Sequence, residues 1–376
     1  MDMIPRILTQ TVKQGLKPGF INLIYGPRQV GKTYLLKQLA DVIPGPGVSF
    51  SGDYQDDRSA LSQTSPAILK GLVDHSQNVY VDEAQRIPNI GLSLKILIDT
   101  FPKKNFFVTG SSSLVLSRGI QESLTGRNIT YKLYPLSTAE LTLNLPPHQK
   151  ISLLTNQILY GGYPKLLEFP TPQDKQDYLK NIIEDYLLKD VLLLKDVASP
   201  ENLTKLATLL AFQLGSQVSY NELAKNLNID VKTIIRYLYL LKHSFVIFEL
   251  GSYSSNLRKE IAKAKKYYFW DLGIRNALID QFHPLDVRPD TGQLWENFLA
   301  IERIKNQHYS RQSPRYYFWR TYEQAEIDWL EQTGSNISAY EFKWSSKPAK
   351  TPKAFRTAYH QEVTTINRDN YLEFIL

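Results

Sequence analysis

Residues 26 to 33 constrain this chain more than any other segment. Gly26-Pro27-Arg28-Gln29-Val30-Gly31-Lys32-Thr33 sets two glycines at a fixed spacing, then a lysine and a hydroxyl. The apolar run Ile21-Asn22-Leu23-Ile24-Tyr25 precedes it and reads as a buried strand, and Thr33 to Ala40 follows with a helical pattern. A strand, a glycine-bearing turn and a helix let backbone N–H groups curl around phosphates while the helix offers its positive end to the anion. Lys32 should then reach the β- and γ-phosphates of a nucleotide, and the Thr33 hydroxyl should bind magnesium.

A second segment completes such a site. Asn78-Val79-Tyr80-Val81-Asp82-Glu83 is an apolar strand ending in two carboxylates. Asp82 would hold magnesium, and Glu83 would orient and polarise an attacking water. The doubled carboxylate favours hydrolysis of ATP over static binding. Phe106-Phe107-Val108-Thr109-Gly110-Ser111-Ser112-Ser113 repeats the theme of a strand with a polar end, and Ser111 or Ser112 could touch the γ-phosphate. Arg127, in Leu124-Thr125-Gly126-Arg127, could stabilise transition-state charge in its own subunit or a neighbour's, with Arg118 as the competing arginine.

Composition narrows the remaining classes. There are no cysteines, which excludes disulfides and thiolate zinc sites and fits a cytoplasmic protein. Six scattered histidines form no HExxH-like pair, which argues against a zinc hydrolase. No apolar run reaches about 18 residues, so no membrane span is expected, and the N-terminus MDMIPRILTQ lacks a secretory pattern. The net charge of +7 favours a polyanionic partner without demanding one.

Short apolar runs alternating with helical patterns from about 20 to 145 indicate an α/β fold with a mostly parallel sheet. Four parts are expected: 1–145, 146–200, 201–285 and 286–376. The second is helical, with Gly161-Gly162-Tyr163-Pro164 as a turn. In the third, Ser219 to Leu227 and Val231 to Lys242 read as helices joined by Asn228-Ile229-Asp230, a helix-turn-helix. Phe245 to Leu250 and Tyr267 to Trp270 would form a two-stranded wing. If this module meets DNA, Lys232, Thr233, Arg236 and Tyr237 would face it from the second helix. Arg258, Lys259, Lys263, Lys265 and Lys266 would meet phosphates from the wing. Such modules also dock proteins, and a basic loop can simply be solvated.

The fourth part reads helix, strand, strand, strand, helix, strand. Glu296 lies on the helix, Asp328 at the start of a strand, and Glu341 and Lys343 on the next. This order resembles the PD-(D/E)XK nuclease superfamily. Asp328 and Glu341 could bind magnesium, Glu296 could add a ligand, and Lys343 could activate water.

The motifs GPRQVGKT, VYVDEAQ, FFVTGSSS, SLTGR, GGYP, ENF, EIDW and EFKW span nearly the whole chain. Together they resemble a bacterial and archaeal family of AAA+ type P-loop ATPases whose C-terminal half is labelled a domain of unknown function. The resemblance implies a P-loop core, a helical lid at 146–200, a winged helix and a nuclease-like domain, with a homo-oligomer expected by analogy. The first reading of the whole chain is an ATP- and magnesium-dependent ATPase that binds or remodels nucleic acid, branched DNA included, with a nuclease-like C-terminal domain. The alternative is a nucleotide-controlled switch that docks a protein partner.

Overall fold

The computed structural model describes residues 4–110, 124–143, 145–184, 199–254, 265–321 and 323–376. The chain packs as two units, Met1–Pro135 with His243–Phe245, and Leu136–Lys242 with Val246–Leu376. The helical, helix-turn-helix and C-terminal parts expected from the sequence fall almost wholly within the second unit.

The first unit runs α1 (Ile7–Gln14), β1 (Ile21–Tyr25), α2 (Lys32–Val42), β2 (Gly47–Ser51), α3 (Gln55–Leu61), α4 (Pro66–Val73), β3 (Asn78–Asp82), α5 (Ile90–Thr100), β4 (Asn105–Gly110) and β5 (Asn128–Lys132). Its five strands are all parallel, in the order β2-β3-β4-β1-β5. Strands β1, β3 and β4 carry near-continuous apolar runs because a central parallel strand is covered on both faces. Leu23, Val79, Val81, Phe106 and Val108 pack there with Leu94 and Leu97 of α5.

Strand order decides where chemistry can occur. β4 pairs with both β1 and β3, so the carboxyl ends of these three strands lie side by side. Ligands of open parallel sheets bind outside those ends. The turn after β1, Asp82 at the end of β3 and Thr109 near the end of β4 therefore converge. The buried Arg6 braces this edge from α1's N-terminal side: Nη1 donates to the Val30 carbonyl at 2.5 Å and Nη2 to that of Tyr134 at 2.7 Å.

The second unit contains α6 (Thr138–Thr142), α7 (Pro147–Tyr160), α8 (Pro172–Ile183), α9 (Pro200–Phe212), β6 (Gln217–Val218), α10 (Tyr220–Leu227), α11 (Val231–His243), β7 (Ile247–Ser252), β8 (Lys265–Phe269) and α12 (Leu272–Leu278). It continues with α13 (Thr291–Tyr309), β9 (Arg315–Arg320), β10 (Glu326–Thr333), β11 (Asn336–Phe342), α14 (Lys353–Tyr359), β12 (Val363–Ile366) and α15 (Tyr371–Ile375). The C-terminal order α13-β9-β10-β11-α14-β12 is the one read from the sequence. In the turn at 161–164, the Gly162 N–H donates to the Asp271 carboxylate and the Gly162 carbonyl accepts from Leu136, each at 2.7 Å.

Helices α10 and α11 form the expected pair. Asn228, at φ 53°, makes the turn, and Asp230 caps α11 by accepting from the Thr233 N–H at 2.9 Å. The wing departs from expectation. β7 and β8 are antiparallel, but β7 also pairs in parallel with β9 through Gly251 and Ser252, and β8 pairs with β6. The result is one mixed seven-stranded sheet, β12-β11-β10-β9-β7-β8-β6. A strand with neighbours on both sides buries alternate side chains that a free hairpin would expose. Among the described residues no helix is long and apolar enough to cross a membrane.

Candidate active site

The turn between β1 and α2 has the backbone its sequence requires. Gly31 adopts φ 92°, and Gln29 is also left-handed at φ 59°. A Cβ on Gly26 would sit 2.0 Å from the Leu133 carbonyl oxygen, so only glycine lets the loop pass the end of β5. Pro27, Arg28 and Val30 fill the rest of the turn. The buried Lys32 curls back so that its ammonium donates to the carbonyls of Pro27 at 2.7 Å and Gly26 at 3.3 Å. The ammonium thus lies inside the arch that backbone N–H groups form around phosphate.

Two strand ends meet this loop. The Thr33 hydroxyl donates to Asp82 Oδ2 at 2.6 Å. The Thr109 hydroxyl, fully buried, donates to Asp82 Oδ1 and accepts from the Glu83 N–H at 3.2 Å. Glu83 itself is left-handed at φ 47°, a conformation that costs energy in a residue with a side chain, and Gln85 Nε2 donates to its Oε2 at 2.6 Å. Thr33 and Asp82 offer hard oxygen donors on one spot, which fits magnesium. When bound there, magnesium would neutralise charge on phosphate oxygens.

Thr109 was not singled out from the sequence, where Ser111 and Ser112 stood in its place; those two serines lie outside the described residues, as does Arg118. The signal for Thr109 was present: it is the last side-chain-bearing residue of β4 before Gly110. Arg127 is a correction as a charge stabiliser in its own subunit. Its carbonyl accepts from the Ile21 N–H, which places it at the start of β1, whereas the phosphate loop follows the end of that strand. Five residues of strand separate the two, roughly 16 Å. Its guanidinium pairs with Asp99.

In the second unit the sequence-predicted carboxylates do gather. Glu296 of α13 and Glu341 of β11 both act electrostatically on Asp328 of β10. Burial drives Asp328 well above the usual carboxyl range, and Glu296 and Glu341 push the same way, opposed in part by Lys266 and the Phe342 N–H. Each is already engaged. Glu296 Oε1 accepts from Lys266 Nζ at 3.0 Å and the Tyr268 hydroxyl at 2.5 Å. Asp328 Oδ2 accepts from the Phe342 N–H at 2.9 Å, and Glu341 Oε1 from Lys343 Nζ at 2.7 Å. Among the described residues no three His, Cys, Asp or Glu side chains are grouped as a metal ion would need. Glu296, Asp328 and Glu341 with Lys343 form a network of charged groups whose pairs are made within the chain.

The basic residues expected at a nucleic-acid surface divide. Lys232 and Arg236 are exposed on α11. Tyr237 is instead buried, its hydroxyl bonded to the backbone of Ser199, because it shares the inner face with Ile234, Leu238 and Leu241. Lys266 is also a correction: its side chain is 3% exposed and ion-paired with Glu296 and Glu326. Lys265 is half-buried against Glu249 at 2.7 Å. Arg258, Lys259 and Lys263 lie outside the described residues.

A nucleotide-binding turn at the carboxyl edge of an all-parallel sheet, faced by a strand ending in two acids, defines a P-loop ATPase domain. Comparison with known proteins agrees: residues 19–142 match the AAA domain, and residues 151–285 and 291–371 match two domains of unknown function, DUF8612 and DUF4143. The chain thus carries an AAA-type P-loop ATPase domain followed by those two regions. It is 28% identical over 344 residues to an uncharacterized protein of Mycobacterium tuberculosis, covering 90% of this chain and 73% of that one. An uncharacterized protein of Methanocaldococcus jannaschii is 23% identical over 393 residues, covering 97% and 83%. Similar solved structures include a Walker-type ATPase of Pyrococcus abyssi, at 15% identity, TM-score 0.48 and coverage of 74% and 96%. A RuvB variant of Thermotoga maritima gives 17% identity, TM-score 0.31 and coverage of 64% and 86%.

Proposed function

We propose that this chain hydrolyses ATP at the loop Gly26–Thr33 and uses the cycle to bind or remodel nucleic acid. The observation that carries the hydrolytic reading is the pairing of the Thr33 hydroxyl with Asp82 at 2.6 Å beside the Lys32 ammonium. Backbone N–H groups and Lys32 would hold the phosphates, and Thr33 and Asp82 would hold magnesium. Glu83 would orient and polarise the attacking water, with Gln85 and Thr109 fixing its side chain and its N–H. Preset donors of this kind act without reorganising during reaction.

Nucleic acid is the partner favoured by the exposed Lys232 and Arg236 on the second helix of a helix-turn-helix, in a chain of net charge +7. The test is phosphate release measured without nucleic acid and with single-stranded, linear duplex and four-way-junction DNA, over a range of salt. We expect stimulation by at least one DNA, weakening steeply as salt rises, and loss of all turnover in Lys32→Ala. Turnover that survives Lys32→Ala would refute the site. A second reading, a nucleotide-controlled switch docking a protein, is favoured by Ile235 and Tyr239, 49% and 46% exposed on α11. An ATPase rate indifferent to every DNA and RNA would select it.

A further inference from the structure

We infer that Lys266 is the resident cation of the C-terminal carboxylate cluster, neutralising Glu296 and Glu326 in place of a divalent metal, so that the two C-terminal regions of unknown function share one metal-independent site. Lys266 comes from β8, within the region matched at 151–285, whereas Glu296, Glu326, Asp328 and Glu341 all come from the region matched at 291–371. The sheet brings the strand residues together, β7 joining β8 on one side to β9 on the other, and α13 brings Glu296 through the Asn297 bonds to the Phe269 backbone of β8.

The geometry is that of a bridging cation. Lys266 Nζ lies 3.0 Å from Glu296 Oε1 and 2.6 Å from Glu326 Oε1, and 5.3 Å from the centre of the Phe318 ring. Arg320 Nη1 meets the second oxygen of Glu326 at 3.3 Å, and Lys343 meets Glu341. Magnesium needs open carboxylate oxygens at about 2.0–2.1 Å in near-octahedral array. Here the facing oxygens of Glu296 and Glu326 already share one ammonium, and the same Glu296 oxygen also accepts from Tyr268. A buried lysine with two carboxylate partners cannot swing away to water without leaving those acids uncompensated.

This can be tested on the full-length protein free of nucleotide, with Mn2+ as the probe and electron paramagnetic resonance counting bound ions. Wild type and Asp328→Asn should take up the same amount of Mn2+. Lys266→Met should take up about one more ion per chain, and adding Asp328→Asn should remove it. Uptake by wild type that Asp328→Asn abolishes would overturn the inference, as would a folded Lys266→Met that gains no ion. If Lys266→Met fails to fold, the comparison of wild type with Asp328→Asn decides alone.

Discussion

Asp82 and Asp328 each lie on a strand of a buried sheet, and each was read from the sequence as a magnesium ligand. Their surroundings differ in the charge of the partners. Asp82 is held by the hydroxyls of Thr33 and Thr109. Both donors are neutral, so a nucleotide's magnesium could add its charge to the carboxylate there. Around Asp328 the chain brings its own cations, Lys266, Lys343 and Arg320, to Glu296, Glu341 and Glu326. The two aspartates thus differ in whether their surroundings offer neutral hydroxyls or charged groups.

The largest effect should come from removing an internal cation. Lys266→Met takes away the cation paired with the largely buried Glu296 and should lower unfolding free energy by about 3 kcal/mol in urea titration, with added Mn2+ recovering part of it. Little change in stability would erase the contrast between the sites. In the first unit the cost should fall on turnover. Glu83→Gln should cut phosphate release about 100-fold or more while nucleotide affinity is kept; a loss of affinity instead would make Glu83 a binding residue.

Asp290 offers a control, a carboxylate paired to the buried Arg275 and Arg288 at 2.6 and 2.8 Å with no catalytic assignment. Burial would raise it, but the two guanidiniums hold it down at about 2 against an ordinary 3.8. Because its folded value is depressed, its stabilisation is complete above pH 3.8 and lost as pH falls toward 2, amounting to about 2 kcal/mol. Asp290→Asn should remove that part of the acid dependence in pH-resolved denaturation. Smallest of all, Lys232→Ala and Arg236→Ala should each reduce the salt slope of DNA binding by about one, without altering basal ATPase turnover.

The first site was legible because its chemistry is contiguous. The loop is eight adjacent residues, and Asp82 and Glu83 terminate an apolar strand. Thr109 was harder to pick out, since four hydroxyls follow Val108 closely and only the end of β4 at Gly110 selects among them. Tyr237 could have been placed correctly: its spacing from Ile234, Leu238 and Leu241 is that of a helix's inner face. Lys266 could not. Lys263 and Lys265 precede it, so it reads as part of a solvated wing, and its partners Glu296 and Glu326 lie far along the chain. Glu326 reaches it because β7 pairs with β9, a parallel contact of two residues that no local pattern announces, and Glu296 because α13 packs on β8, where Asn297 bonds the Phe269 backbone.

The most direct test of the contrast is Mn2+ binding in the presence of a slowly hydrolysed ATP analogue, comparing wild type, Asp82→Asn and Asp328→Asn. The structure predicts one nucleotide-dependent ion per chain, lost in Asp82→Asn and kept in Asp328→Asn. An ion that persists in Asp82→Asn and vanishes in Asp328→Asn would contradict it.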